Sequence, residues 1–184
     1  MKANYGTGSK QQIVTSNNEK DDSNSLWIVN AAMRTEKPCR TGQTIKCGDT
    51  VRFEHNPTGK NLHSHLKHKA PLSKRQEVSA FGDDGDGDMG DDWDIVCNER
   101  ADFGSIKKAG ETLTGKDLFY LNHKETGCLL VSDSASRFTQ QNCPRCVIVG
   151  HMEVACDTKA KQKTNLWSID SGYFFPSRDD SDFD

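Results

Sequence analysis

Apolar residues in this chain come in short runs. Leu26 to Val29, Val51 to Phe53, Val78 to Phe81, Trp93 to Val96, Leu118 to Leu121, Cys128 to Val131, Val147 to Val149, Leu166 to Ile169 and Tyr173 to Phe175 are each of strand length and rich in β-branched or aromatic side chains. Gly, Pro, Asn and Asp punctuate most of the gaps between them. Nowhere do apolar positions hold the helical period over a dozen residues. The pattern therefore predicts an all-β chain, with the polar stretch over residues 1–25 and the acidic stretch after Pro176 read at least in part as solvated tails.

The runs also repeat. Leu26-Trp27-Ile28-Val29, Trp93-Asp94-Ile95-Val96 and Leu166-Trp167-Ser168-Ile169 share an aromatic-to-aliphatic step, and all three tryptophans of the chain lie in them. A second echo links the segment from Val51 to Ser64 with that from Phe119 to Ser132, where His, Thr-Gly, Leu and Ser recur at a constant offset. Physically each is a hairpin of strand, Thr-Gly turn and strand. Glu77-Val78-Ser79 and Glu153-Val154-Ala155 form a third echo. Three related units burying one Trp each predict a pseudo-threefold architecture, whose lobes share a closed barrel that no single lobe could core.

Composition narrows the functional classes. At 184 residues the chain suits one well-cored domain. A formal net charge of -3 supplies no general attraction to nucleic acid or acidic membranes, so neither is expected as a partner. No run approaches the length of a membrane span, and residues 1–20 show no apolar core of a secretory signal. The 7 cysteines point to disulfides or a metal, and an odd count leaves one over.

The most specific signal is a set of motifs. Ile45-Lys46-Cys47-Gly48 is followed by Thr58-Gly59-Lys60-Asn61-Leu62-His63-Ser64-His65. Next come Pro71-Leu72-Ser73, Gln76-Glu77-Val78-Ser79-Ala80-Phe81-Gly82 and an Asp/Gly loop into Asp91-Asp92-Trp93. Together with Tyr5-Gly6, Gln11-Gln12, Val14-Thr15 and the segment from Asp21 to Trp27, these resemble the MIR domain, a β-trefoil found in protein O-mannosyltransferases, inositol trisphosphate receptors and ryanodine receptors. Within that group they are similar to the stromal cell-derived factor family of endoplasmic-reticulum proteins. The resemblance implies a β-trefoil of three repeats over residues 1–176, with a partial first repeat at 1–34, the second at 35–98, the third at 99–172, and an acidic tail at 177–184. The family's first repeat begins with its own hairpin, which this sequence lacks, so a truncation at the N-terminus is expected, one that removes any signal peptide with it. The resemblance also implies a non-catalytic factor of the reticulum lumen. Its expected partners are a DnaJ-type co-chaperone, Hsp70 and unfolded clients, with O-mannosyl glycans as a further ligand class. The polar residues that carry the signature and form the expected binding set are Asn61, His63, Ser64, His65, Gln76, Glu77, Ser79 and Asp92. No catalytic residue, cofactor or metal is assigned.

Other chemistry can be weighed residue by residue. Gly110 to Lys116 has the spacing of a phosphate-binding loop, but Asp117 replaces the magnesium-binding hydroxyl and a strand follows, so a turn is expected. Cys143, Cys146, His151 and Cys156 stand at the spacing of a zinc knuckle, which makes a zinc-stabilised adaptor the sharpest rival to the binding module. The residues around them lack the knuckle's aromatic and second glycine, so a disulfide or free thiols in a hairpin are expected instead. His63 and His65 face the same side of a strand and, with His68, form a conceivable metal set, though a signature role is expected. The aspartates between Gly82 and Asp94 do not follow the EF-hand pattern. Trp27, Trp93 and Trp167 are expected in the core and not as sugar platforms, which weighs against the lectin-like alternative. Cys47 precedes the middle repeat's first strand and Cys97 follows its last, so these two are candidates for a disulfide, with Cys39 as another partner.

Overall fold

The computed structural model describes residues 3–19, 21–35, 42–84, 86–98, 106–158 and 163–173. Cys39, the end of the Tyr173–Phe175 run and the acidic tail lie outside them. The fold is all-β. Its strands are β1 (Gln12–Ile13), β2 (Thr15–Ser16), β3 (Trp27–Ala31), β4 (Thr50–His55), β5 (Lys60–Lys69), β6 (Gln76–Phe81), β7 (Trp93–Cys97), β8 (Phe119–His123), β9 (Leu129–Arg137) and β10 (Met152–Asp157). Every pairing is antiparallel. Strands β4, β5, β6, β10, β9, β8 and β7 close into a seven-stranded barrel, in which β6 meets β10 and β7 returns to β4. Outside the ring, β1 adds to β6, β2 to β10 and β3 to β4. A closed barrel leaves no raw edge among its own strands.

The two echoed hairpins are built alike, and local chemistry explains why. In each, the turn ends on a glycine with a left-handed backbone, Gly59 at φ 63° and Gly127 at φ 69°, a conformation that costs a residue with a Cβ. The His55 ring donates from Nε2 to the Asn24 carbonyl at 2.9 Å, so its Nδ1 accepts from the Thr58 hydroxyl at 2.8 Å. His123 repeats the arrangement with the Gly90 carbonyl at 2.9 Å and the Thr126 hydroxyl at 2.8 Å. Each imidazole packs on a tryptophan: Trp27 on His55 with centroids 4.9 Å apart, Trp93 on His123 at 4.8 Å. The sequence echo is thus a turn-locking device. Its neutral tautomer is favoured by burial, which lowers the pKa of both rings.

The core gathers inward-facing residues of every barrel strand, including Val51, Leu62, Val78, Trp93, Ile95, Leu121, Leu130 and Val154. Trp93 is completely buried, and its indole N–H donates to the Leu62 carbonyl at 2.9 Å. Trp167 reaches the Leu130 carbonyl in the same way at 3.1 Å, and Trp27 packs partly buried against the same cluster. Three short pairings complete a ring at one level: Ile13 opposite Ser79, Glu77 opposite Ala155, and Glu153 opposite Thr15.

Three disulfides staple this frame: Cys47–Cys97, Cys128–Cys156 and Cys143–Cys146. They overturn the zinc-knuckle alternative. Cys143 and Cys146 are bonded to each other, Cys156 to Cys128, and His151 Nδ1 lies 2.9 Å from the Thr15 hydroxyl, so the four proposed ligands do not converge. Three expected strands are also corrected. Residues 147–149 form turns, because Cys146, Val149 and His151 donate to Cys143, Cys146 and Ile148 and so spend the groups a strand would offer a neighbour. The Leu166–Ile169 run enters by a 3-10 turn and contributes only the bridge from Trp167 to Phe119. Tyr173 is outside any strand and 87% exposed. The glycine-rich stretch before Asp117 is a turn leading to β8, with Asp117 accepting from Thr114 and pairing with Lys107 at 2.9 Å. No helix among the described residues is long and apolar enough to cross a membrane.

Candidate functional site

The signature residues lie mainly on the adjacent antiparallel strands β5 and β6. Alternation along β5 puts His63 and His65 on one face and Ser64 on the other. His63 is fully buried and packs on Phe81 with centroids 4.7 Å apart. Its Nδ1 donates to the carboxylate of Asp91, itself fully buried, at 2.7 Å. A carboxylate only accepts, so this bond fixes the tautomer and leaves the lone pair of Nε2 directed outward. There it meets Nε2 of His65 at 2.6 Å, the rings standing edge to face at 87°.

The loop that supplies Asp91 is rigid for a local reason. Residues 89–91 make a single 3-10 turn closed by a capping box, in which Asp88 accepts from Gly90 N–H at 2.8 Å and Asp91 accepts from Asp88 N–H at 2.8 Å. The Asn61 amide joins from below, donating to Asp91 at 3.4 Å and to the Asp86 carbonyl at 3.3 Å. At Gly90 no side chain fits: a Cβ would lie 2.7 Å from Cε1 of His63. These aspartates, which do not follow the EF-hand pattern, are in part structural caps. The ligand atoms of His63, His65 and Asp88 all fall within 4.8 Å of one another, which makes them the group among the described residues able to hold a metal; His68 is not part of it. Burial, then the neighbouring His63, lowers the pKa of His65, against the opposing pull of Asp88 and Glu125.

The remaining signature residues are separate from this cluster. Ser64 donates to the Glu77 carbonyl at 2.7 Å, and the Gln76 amide donates to the Ser64 hydroxyl at 2.8 Å and to Thr126 at 3.0 Å. Glu77 accepts from Ser9 N–H at 3.3 Å, and Ser79 donates to Gln11. Asp92 accepts from Met33 N–H at 2.8 Å, with burial holding its pKa above the ordinary value. Of the eight, only His65 is more than marginally exposed. Asp91, Asp88 and Thr126 complete the network and were missed as site residues. Asp91 stood next to Asp92 in the motif, and its role shows only once the loop folds back over β5. Beside the cluster, a cleft of about 510 Å³ is lined by Ala32, Met33, Arg34, Thr35, Arg52 and the loop residues Asp86 and Gly87.

Comparison with known proteins bears on this arrangement. The MIR domain family matches residues 2–170. Stromal cell-derived factor 2 of Mus musculus is 51% identical over 94 residues, which cover 51% of this chain and 43% of that protein, so the aligned part spans under half of the relative. The crystal structure of the SDF2-like protein from Arabidopsis thaliana superposes with a TM-score of 0.78 at 34% identity, covering 96% of this chain and 86% of that one. The S. cerevisiae protein O-mannosyltransferase Pmt1-Pmt2 complex bound to the sugar donor shares the fold at a TM-score of 0.75 and 27% identity, over 96% of this chain and 23% of that one.

Proposed function

Because this chain belongs to the MIR-domain family and shares its all-β barrel with a stromal cell-derived factor 2-like protein, we propose that it is a non-catalytic binding module of the endoplasmic-reticulum lumen, acting in protein folding and quality control through a DnaJ-type co-chaperone, its Hsp70 and unfolded clients. The observation that carries this reading is the fate of the signature's polar side chains. Ser64, Ser79, Asp92 and the Gln76 amide N–H groups are buried and spent on internal hydrogen bonds, whereas catalysis needs a base or nucleophile left available at a cleft. Disulfides suit an oxidising compartment. The outer half of β5 offers Leu66, 69% exposed, with Lys67 and Lys69, and the acidic loop lies beside β5, a mixed apolar and charged surface of the kind protein partners use.

The same reading takes the barrel as a β-trefoil of three repeats, at 1–34, 35–98 and 99–172. Its support is the cyclic register in which residues 12–16 (β1 and β2), β6 and β10 pair in turn at equivalent positions, and the duplicated His-Thr turn locks. The test is titration of the purified chain against a purified luminal DnaJ-type co-chaperone. Saturable binding that Leu66→Asp weakens is expected; no binding by the folded chain overturns the chaperone reading. A second reading, an O-mannosyl glycan module, is favoured by the cleft with Arg34, Arg52 and Asp86 on its walls. Chemical-shift changes confined to those residues on adding an O-mannosyl peptide, absent with the bare peptide, would select it.

A further inference from the structure

We propose that His63, His65 and Asp88 form a binding site for a divalent transition-metal ion of the zinc class, open to solvent at the edge of the capped loop. The donors come from two elements that the fold brings together: adjacent same-face positions of β5 and the N-cap of the following 3-10 turn. Their ligand atoms lie within 4.8 Å of one another, and the two Nε2 atoms face each other. Imidazole nitrogen and carboxylate oxygen are the donors such an ion selects.

An independent feature of the geometry is the buried carboxylate behind His63. Metal-bound histidines nearly always donate the distal N–H to a carboxylate or carbonyl, which fixes the ring and raises its basicity. Asp91 does this here at 2.7 Å, and is itself held by Asp88 N–H and Asn61. The tight approach of Gly90 fixes the ring as well, so the first ligand is preorganised. The other two can adjust. A tetrahedral ion with Zn–N bonds of about 2.0 Å sets two nitrogens roughly 3.3 Å apart, so His65, only partly buried, need move by less than about 1 Å. The Asp88 side chain is 49% exposed and spends one oxygen on Gly90, which leaves the other for an ion and a fourth position for water.

The barrel does not require this group. Shifted by the hairpin offset, the positions of His63, Ser64 and His65 fall on Val131, Ser132 and Asp133 of β9, which close an equivalent hairpin without imidazoles. The pairing of two histidines thus adds something to β5 beyond folding.

The test uses the full chain with Cys39→Ser, which removes the seventh cysteine as a competing ligand, titrated with zinc chloride by calorimetry and with cobalt chloride by visible absorption. One ion per chain and tetrahedral cobalt bands are expected. His65→Gln and Asp88→Asn should each weaken binding, the first by at least about tenfold, the scale on which even outer-shell partners act. Thermal unfolding of the metal-free variants separates lost binding from lost folding, and His65→Gln, at a partly exposed position, should keep the parent's midpoint. Absence of saturable uptake by the parent chain overturns the proposal, and so does undiminished binding by His65→Gln, which would put the ion elsewhere.

Discussion

Removing the Cys47–Cys97 bridge should cost far more than removing Cys143–Cys146, and the reason is loop length. The bridge spans a sequence separation of 50, against 28 for Cys128–Cys156 and 3 for Cys143–Cys146. The chain-entropy relation gives about 4 kcal/mol at 25 °C for the first, about 3.5 for the second and about 1.5 for the third. Burial sharpens the contrast. Cys47 and Cys97 are 4% and 5% exposed within the main core, whereas Cys143 and Cys146 are half-buried in a turn. Replacing the long-loop pair by alanine also deletes two packed sulfur atoms, adding roughly 1 kcal/mol. Native domains hold only about 5–15 kcal/mol in total, so C47A/C97A should stand near the edge of stability while C143A/C146A stays well folded. Urea unfolding followed by the fluorescence of buried Trp93 measures both, with the slope fitted separately for each variant because a freed loop exposes more surface. The reasoning fails if the two double variants lose the same stability within about 1 kcal/mol, for then strain or denatured-state structure, and not loop closure, sets the cost.

Further changes follow from single contacts. Glu153 accepts from Leu72 N–H at 2.7 Å and Ser73 N–H at 2.9 Å while nearly fully buried, so E153A should cost about 3 kcal/mol and E153Q about half of that, read from thermal or urea midpoints. Gly82 has φ 86° and a Cβ there would lie 1.7 Å from the Asp86 carbonyl oxygen, so G82A should cost well over 2 kcal/mol; at Gly127, φ 69° with open space, G127A should cost only about 1 kcal/mol. Burial lowers the pKa of His55 and His123 below the ordinary 6.5, so the unfolded chain takes up protons first as pH falls. Stability is full above about pH 6.5 and falls on acidification toward the folded pKa values, which a series of unfolding midpoints from neutral to mildly acidic pH will show as a downward slope that T126A alone does not abolish.

What the sequence made legible is what local pattern controls. The Thr-Gly hairpins, the place of all three tryptophans against the core and the all-β class each follow from a few adjacent residues and are found where the pattern puts them. Strand β10 lay inside the Glu153-Val154-Ala155 echo but was hidden by its short apolar content, and β1 and β2 are only two residues long, held by barrel partners more than sixty positions away. Val147 to Val149 misled for the opposite reason: their β propensity is strong, yet the Cys143–Cys146 bridge and successive turn bonds commit that backbone first. At the site, His63 and His65 were visible as a pair on one strand face. Asp91 and Asp88 were not, because their role depends on a loop folding back twenty-odd residues later onto β5.

On the proposed threefold reading, the central strands account for where the repeats diverge. Glu77 and Glu153 occupy equivalent positions, and each sends its carboxylate to backbone N–H groups of another unit's loop, Ser9 for the first, Leu72 and Ser73 for the second. On the proposed threefold reading the third such position is Ile13, opposite Ser79. Its matching loop is the segment before β10, where the N–H groups of Cys143, Cys146, Val149, Gly150 and His151 already donate to main-chain carbonyls. A glutamate at position 13, a half-buried site, would lose part of its hydration with few donors to replace it, which is unfavourable. An apolar side chain there avoids that cost. The disulfide-closed turn therefore accounts, on that reading, for the apolar residue that replaces the third carboxylate on the far side of the ring.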